Sequence, residues 1–144
     1  MSSVEERFSS ALHSTARGWR LAVDRRLKDL GMSQASWLTV AVAAKAKAPL
    51  AQIELANRVG VEGATMVAML DRLAKAGLIV RVPCETDRRV KLVTLTPQGV
   101  QLYAKVRNEA DAVRKKLLSG IDPAVLLAAT KLLEALQNVV EEVA

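Results

Sequence analysis

Apolar residues recur at alternating steps of about three and four through the first part of the chain, a spacing that predicts one long helix. The stripe that they form runs through Val4, Phe8, Leu12, Thr15, Trp19, Val23, Leu27 and Leu30. Gly31 follows, where a glycine commonly ends a helix. Because a helix of about seven turns is longer than a small domain can cover, the stripe favours packing against a surface outside this chain.

Shorter helices are predicted next. Ser33 is predicted to be the N-cap of a helix. Pro49 ends either this helix or the loop that follows it. A short amphipathic helix is expected between Ala51 and Gly60, and another from about residue 63 to residue 76. We expect the inward positions of this last helix to be Val67, Leu70, Leu73 and Ala74.

The pattern then changes to the period of β-strands. Residues 78–82 and 90–95 are rich in β-branched residues and flank the charged segment 83–89, which predicts a β-hairpin. Helical spacing returns after Thr96-Pro97, to about Ser119, and again after Asp122-Pro123. The last helix carries a wide apolar stripe through Val125, Leu126, Ala129, Leu132, Leu133, Leu136, Val139, Val140 and Val143. The predicted fold is mainly α with one small β-hairpin.

Composition narrows the class of protein. The 144 residues include 51% hydrophobic but only 3% aromatic residues, so Ala, Val and Leu must fill most of the core. One cysteine and one histidine exclude an internal disulfide framework and a structural zinc site. No glycine-rich phosphate loop and no nucleophile–base pair is apparent, so neither a cofactor nor an enzymatic activity is expected.

Charge and hydropathy indicate the surroundings in which the protein works. No apolar run approaches the roughly 18 residues that cross a bilayer, and the N-terminus lacks the apolar centre of a secretory signal. We therefore expect a cytoplasmic protein with no membrane partner. The net charge of +6 makes a polyanion the first partner to consider, and the alternative is a merely solvated basic surface.

Residues 51–99 contain the parts of a winged helix-turn-helix. Ala56 is small enough for close packing of two helices, and Gly60 can adopt the left-handed conformation of a tight turn. The second helix of such a pair reads the major groove of DNA, and the hairpin reaches the neighbouring minor groove or phosphates. Helix pairs of this kind also occur in all-α domains that bind no DNA. The three cations at the hairpin, Arg88, Arg89 and Lys91, exceed what solubility requires.

Two segments resemble the MarR family of bacterial transcription regulators. Asp87-Arg88-Arg89-Val90-Lys91, followed by Leu95-Thr96-Pro97-Gln98-Gly99, is similar to the wing signature of the family, and residues 70–79 resemble the end of its recognition helix. Matches to the SlyA branch are Trp19-Arg20, Arg25 to Leu27, Trp37, Leu55-Ala56 and Gly60-Val61-Glu62.

The resemblance implies a single domain over 1–144 that forms a homodimer. Residues 1–32 and 97–144 would supply the intertwined dimerisation helices, and 33–96 the winged helix-turn-helix core. Two such cores would bind successive major grooves of a pseudo-palindromic operator in double-stranded DNA. A transcription regulator is implied, with repression by blocking polymerase favoured over activation. The alternatives are a dimeric adaptor whose winged helix binds protein and an architectural DNA-binding protein without sequence preference.

The resemblance also assigns roles within the wing. Asp87 corresponds to the aspartate that braces a nearby basic residue, and Arg89 corresponds to the arginine that enters the minor groove. Arg88, Lys91 and Arg72 would meet phosphates, which position a protein without reading sequence. Arginine insertion is favoured by the negative potential of narrow A·T-rich grooves.

The recognition helix departs from the SlyA pattern at Ala68, where relatives carry an arginine. The candidates for base contact are Gly63, Ala64, Thr65 and Ala68. These side chains can touch a thymine methyl group or form one hydroxyl bond, but none can bind guanine bidentately. We expect a preference for A·T-rich sites.

A small aromatic acid is the effector that the resemblance implies, and the matching residues are Arg17, Arg20 and Trp37. An arginine would pair with the carboxylate while Trp37 stacks on the ring. The alternatives are core packing for Trp37 and a solvated or DNA-facing position for the two arginines. Relatives in the SlyA branch carry a histidine near the pocket, where this chain has Ala41.

Two further side chains have open roles. Cys84 is a candidate redox site, although no basic residue adjoins it and Glu85 is expected to raise its pKa. His13 lies beside the first apolar stripe and is either a hydrogen-bonding interface residue or a pH- or ligand-sensitive one.

Overall fold

Six α-helices and a small sheet follow one another along the part of the chain that the structure describes. The computed structural model describes residues 1–143. The helices are α1 (Val4–Leu27), α2 (Gln34–Lys45), α3 (Gln52–Val59), α4 (Gly63–Lys75), α5 (Pro97–Leu118) and α6 (Pro123–Val143). The strands are β1 (Leu50–Ala51), β2 (Ile79–Pro83) and β3 (Lys91–Leu95). The mainly helical fold with a small sheet confirms the fold class predicted from the sequence.

The predicted helix ends are confirmed by their local geometry. Ser33 and Ser36 form a reciprocal capping box at the start of α2. After α1, a short 3-10 turn (Lys28–Leu30) leads to Gly31, whose φ of 72° closes the segment as expected. At α5, the Thr96 hydroxyl accepts a hydrogen bond from the Gly99 amide at 3.0 Å. These signals lie within a few residues of the chain, which is why the sequence reveals them.

The sheet has a third strand that the sequence pattern does not reveal. Its order is β1-β3-β2, and both pairings are antiparallel. Leu50 pairs with Val93 and is buried. Because β1 has only two residues, it is too short to show an alternating pattern. It ties the segment before α3 to the strand that leads out of the wing.

The core of the winged helix is built from residues of α1 to α4 and the sheet. Its largest fully buried side chains are Leu27, Leu55, Met66, Leu70, Val40, Val93 and Thr39. Thr39 satisfies its hydroxyl by donating to the Ala35 carbonyl at 2.8 Å, and the same oxygen lies 3.1 Å from the Met69 sulfur. A buried polar side chain is thus hydrogen-bonded, as interior packing requires.

One predicted core position is wrong. Val67 is 43% exposed, whereas α4 buries Met66, Met69, Leu70 and Leu73. These four positions follow the steps of three and four that define one helix face. Met66 and Leu73 lie near the middle of the buried face, and Val67 lies about 100° around the helix from Met66, outside that face. Ile53, an apolar residue of α3, is also exposed.

The chain divides into two compact units, Met1–Asp111 and a second that begins at Ala112. In the second unit, no residue of α6 is buried. The exposed side chains of this helix include Val125, Leu132, Leu133, Val139 and Val140. In the first unit, Val4 and Phe8 of α1 are also exposed. The apolar stripe of α6 and the N-terminal part of the stripe of α1 are therefore exposed in the described residues.

The sequence predicted no segment suited to a bilayer, yet α6 passes that test by length and composition. It has 21 residues and an 18-residue window of mean hydropathy 1.2. Lys131 and Glu134 lie near the middle of the helix, where a charged side chain costs about 3 kcal/mol in a membrane. One such helix is weak evidence, since a helix that packs against another protein satisfies the same criterion.

Candidate nucleic-acid interface

The turn before α4 directs the start of that helix into solvent. Gly60 has a φ of 84°, and its amide and the amide of Val61 both donate to the Ala56 carbonyl, at 2.9 and 3.0 Å. This is a glycine-closed helix end of the kind that reverses the chain tightly. The predicted base-contact residues, Gly63, Ala64, Thr65 and Ala68, are all exposed. Arg72 is exposed further along the same helix.

An ion pair that sequence reasoning missed joins α4 to the wing. Asp71 of α4 and Arg81 of β2 approach to 2.7 Å between Oδ1 and Nη2. The Arg81 side chain is the less exposed partner, at 27% against 56% for Asp71. Asp71 and Arg81 are ten residues apart in the sequence, and no motif in the sequence links the two. The bridge links the orientation of the recognition helix to that of the hairpin.

The tip of the wing holds Arg89 in a fork on Asp87. The Arg89 backbone amide and Nε each donate to Oδ1 of Asp87 at 3.1 Å, and Nη2 donates to Oδ2 at 3.3 Å. These hydrogen bonds lower the pKa of Asp87, and those from the Arg89 side chain contribute more than the one from its backbone amide. The Arg89 side chain nevertheless remains 91% exposed. Asp87 therefore holds the same arginine that the sequence predicts to enter the minor groove, and the side chain of Arg89 remains exposed.

The other two predicted wing cations lie on the same hairpin. Arg88 and Lys91 are exposed and line an open pocket of about 570 Å³ together with Pro83, Cys84 and Glu85. The hairpin is closed by hydrogen bonds from the Cys84 amide to Val90 and from the Val90 amide to Asp87. The structure thus brings together all four predicted wing residues, Asp87, Arg88, Arg89 and Lys91.

Cys84 departs from its expected chemistry. Its Sγ lies 3.2 Å from the Thr86 hydroxyl. This contact, followed by hydrogen bonds from the backbone of Thr86 and Asp87, lowers the pKa of the Cys84 thiol. The expectation that Glu85 would raise the pKa is wrong, because the negative charge that opposes the lowering is that of Asp87, and the hydrogen bonds that stabilise the thiolate outweigh it.

A second concavity lies on α1 in the first unit. It has a volume of about 590 Å³, and its lining includes His13, Arg17, Arg20, Asp24 and Gln34. Two of the three predicted effector residues, Arg17 and Arg20, therefore line one open pocket. Trp37 is not among the lining residues, but its indole Nε1 donates to Asp24 Oδ1 at 2.9 Å. His13, which the sequence left with an open role, joins the predicted arginines.

Comparison with known proteins identifies the chain. The model of the MarR family matches residues 34–91, which span α2 to the start of β3. A crystal structure of the transcriptional regulator PA3341 is 41% identical, with a TM-score of 0.78, and the match covers 93% of this chain and 98% of that one. The chain belongs to the MarR family.

Other MarR-like structures show the same fold at lower identity. Apo MarR from E. coli is 20% identical with a TM-score of 0.80, over 94% of this chain and 97% of that one. CouR from Rhodococcus jostii RHA1, bound to p-coumaroyl-CoA, is 23% identical with a TM-score of 0.78, over 94% of this chain and 95% of that one. As a member of the MarR family, the chain is a DNA-binding transcriptional regulator, and this family is not one of enzymes.

The wing motif of the MarR family was recognisable from the sequence because its residues are contiguous. The contacts that orient the wing could not be recognised, because they join residues that are apart in the sequence. Asp71 belongs to the segment that resembles the family recognition helix, but Arg81 carried no signal of its own. Val67 was missed as a surface residue because its apolar side chain suited the core pattern. The assignment to the SlyA branch stays a prediction.

Proposed function

We propose that this chain is a cytoplasmic, homodimeric regulator that represses transcription by covering a pseudo-palindromic operator. The observation that carries the proposal is the winged helix itself, in which α4 exposes one face of its N-terminal half and Asp87 holds Arg89 extended from the wing tip. A helix and an arginine presented in this way suit a major groove and the adjacent minor groove.

Dimerisation is supported by the uncovered stripes of the terminal helices. The apolar side chains of α6 and the N-terminal apolar residues of α1 face solvent in a single chain. Apolar patches of that length on a monomer commonly mark an interface with another protein. A second copy is the proposed occupant, because symmetric pairing would also place two winged helices on one operator. Light scattering during gel filtration tests this, with a mass near that of two chains expected.

In the proposed complex, α4 contacts the major groove and the wing contacts the adjacent minor groove. Gly63, Ala64, Thr65 and Ala68 of α4 meet base edges in the major groove, and Arg72, Arg88 and Lys91 pair with phosphates. Arg89 enters a narrow A·T-rich minor groove, where its guanidinium meets strong negative potential. The fork on Asp87 lowers the conformational entropy that Arg89 loses on binding.

The pocket on α1 is the proposed effector site. Arg17 and Arg20 line it, so a carboxylate is the group that it suits best. CouR binds a thioester of an aromatic acid, which supports an aromatic ligand in this fold. Trp37 would contribute through Asp24, whose carboxylate holds the indole beside the pocket. We propose a small aromatic or phenolic acid that weakens DNA binding.

Fluorescence anisotropy on the DNA immediately upstream of the gene for this protein tests the central proposal. The assay includes unrelated competitor DNA, a salt series, and Arg89→Ala beside Arg107→Ala as a matched control on exposed α5 surface. We expect binding that survives competitor, falls steeply with salt, and is lost in Arg89→Ala only. Arginine-to-alanine exchange at residue 107 should leave the affinity unchanged.

The remaining outcomes separate the rival functions. Weak binding that is equal for all duplexes favours an architectural DNA-binding protein. Absence of salt-sensitive binding to duplex DNA favours a dimeric adaptor whose winged helix binds protein. A selected operator whose half-sites are rich in G·C would contradict the proposed A·T preference. Titration of benzoate and hydroxybenzoates into the formed complex, with Arg20→Ala in parallel, then tests the effector site.

A further inference from the structure

The first two turns of α4 present an aliphatic surface to solvent. Between Gly63 and Leu70 the one polar side chain is that of Thr65, and the next charged residue is Asp71. Within α4, all of which the structure describes, Val67 is the one large hydrophobic side chain that is exposed. Val67 lies next to Ala68 on the exposed surface of the helix, outside the face that Met66, Met69 and Leu70 bury.

Val67 belongs to a contiguous patch. Ala64, Val67 and Ala68 are separated by steps of three and four, so they share one face of the helix. All three are exposed. The two alanines are short and let the helix approach its partner closely, while Val67 has the largest side chain of the three. We call these three residues the aliphatic patch.

The chemistry of the major groove leaves one target for such a patch. Base edges there present hydrogen-bond donors and acceptors, and thymine alone among the four standard bases adds an apolar group, its C5 methyl. The aliphatic patch has no donor or acceptor on its side chains, so it gains nothing from the polar positions. We infer that Val67 reads thymine C5 methyl groups and is the specificity-determining residue of α4. This inference rests on the proposed function, because it requires α4 to lie in the major groove.

The stiffness and surroundings of Val67 suit that role. A valine in a helix has essentially one χ1 rotamer, so its two methyl groups are held in place before DNA binds. One turn further on, the Asp71 carboxylate is engaged by Arg81 at 2.7 Å. The charge of that neighbouring carboxylate, which would repel phosphates, is therefore balanced by a cation within the protein.

Replacing thymine by uracil tests the inference, because uracil pairs with adenine in the same way and lacks only the methyl group. The probe is a duplex carrying the site selected by the wild-type protein, in which each thymine is exchanged for deoxyuridine in turn. We expect loss of about fourfold in affinity for each contacted methyl. The sensitive positions should be confined to the half-sites that α4 covers.

The protein variants complete a thermodynamic cycle. In Val67→Ala the affinities for the thymine and uracil duplexes should become equal at the sensitive position, whereas Val100→Ala, the same exchange at an exposed position of α5, should keep the wild-type ratio. Val67→Thr preserves the side-chain shape and should retain part of the preference. If uracil lowered the affinity by changing the shape of the groove, the difference between the thymine and uracil duplexes would persist in Val67→Ala. If the difference comes from contact with the methyl group, it should disappear in that variant. Circular dichroism melts check that each variant is folded.

The outcomes distinguish this inference from the proposed function. Operator binding that survives competitor and depends on Arg89, yet is indifferent to every uracil exchange, would overturn the reading of methyl groups and leave the regulator intact. A thymine preference that persists undiminished in Val67→Ala would overturn the role of Val67. Failure of the wild-type protein to prefer any duplex over competitor would overturn both proposals.

Discussion

The hydroxyl of Thr96 joins the end of the recognition helix to the start of α5 through Gly77. Its Oγ1 donates to the Gly77 carbonyl at 2.6 Å and accepts from the Gly99 amide at 3.0 Å. The Thr96 amide in turn donates to the Leu78 carbonyl at 3.0 Å. One residue thus fastens the exit of α4, the root of the wing and the first turn of α5, and all three belong to the first unit.

Loss of the Thr96 hydroxyl should destabilise this junction. Thr96→Val keeps the shape of the side chain but leaves the Gly77 carbonyl and the Gly99 amide without their partner, at a cost of about 1–3 kcal/mol. Urea denaturation measures the free energy of unfolding. Thr96→Ser retains the hydroxyl and should lose less, and a larger loss in Thr96→Ser than in Thr96→Val would show that the methyl group rather than the hydroxyl matters.

Any side chain at Gly99 should disrupt the same junction. A Cβ atom there would lie 2.1 Å from the Leu78 carbonyl oxygen and 3.2 Å from Leu95 Cβ. Because the obstacle is backbone, the chain must shift, and Gly99→Ala should lower the free energy of unfolding by about 1–3 kcal/mol.

Gly63→Ala is the matched control for Gly99→Ala, since a Cβ at residue 63 meets no atom within 4 Å. At this helical position alanine should leave stability unchanged or raise it by up to about 1 kcal/mol. Thermal unfolding of both variants decides the matter, and a Gly99→Ala protein as stable as the wild type would contradict the close approach of α5 to residue 78.

The Asp71–Arg81 bridge should affect DNA affinity more than stability. A partly exposed ion pair contributes only about 0.2–1 kcal/mol to folding, but this one links α4 to the wing. Asp71→Asn and Arg81→Gln each remove the bridge, but the first raises the net charge by one and the second lowers it by one.

If the bridge positions the wing, both variants should bind the operator more weakly. If net charge alone matters, Asp71→Asn should bind more tightly because it removes repulsion from phosphates, and Arg81→Gln should bind more weakly. Anisotropy at two salt concentrations distinguishes these results. Opposite signs for the two variants would refute a positioning role.

Asp87 should titrate below the ordinary range of an aspartate. The hydrogen bonds from Arg89 lower its pKa in the folded protein, so the fork is complete above the unfolded pKa and is lost as pH falls through the folded one. The hydrogen bonds between Arg89 and Asp87 therefore do not change around neutral pH, and they are lost only when acid protonates Asp87. Carbon-detected NMR of the carboxyl group should show an upward shift of the pKa in Arg89→Ala. Arg88→Ala is the control, and an equal shift there would mean that general wing charge rather than the fork sets the pKa.

The sequence by itself determined the kinds and order of the main helices and of the hairpin strands, together with the wing motif. Its signals are local: the steps of three and four in α1, the Ser33 cap, the turn at Gly60, and proline after Thr96. Each acts through bonds and torsions within a few residues, so it can be read without the rest of the fold.

Tertiary structure decided how those elements present their chemistry. The pairing of Leu50 with Val93, the bridge from Asp71 to Arg81 and the outward phase of Val67 depend on packing between segments apart in the chain. An apolar side chain is equally compatible with a core and with a surface that binds DNA. Whether it is buried or exposed depends on which face of its helix packs against the rest of the protein. For Val67, burial of Met66, Met69 and Leu70 made that choice, because a helix can turn only one face to its core.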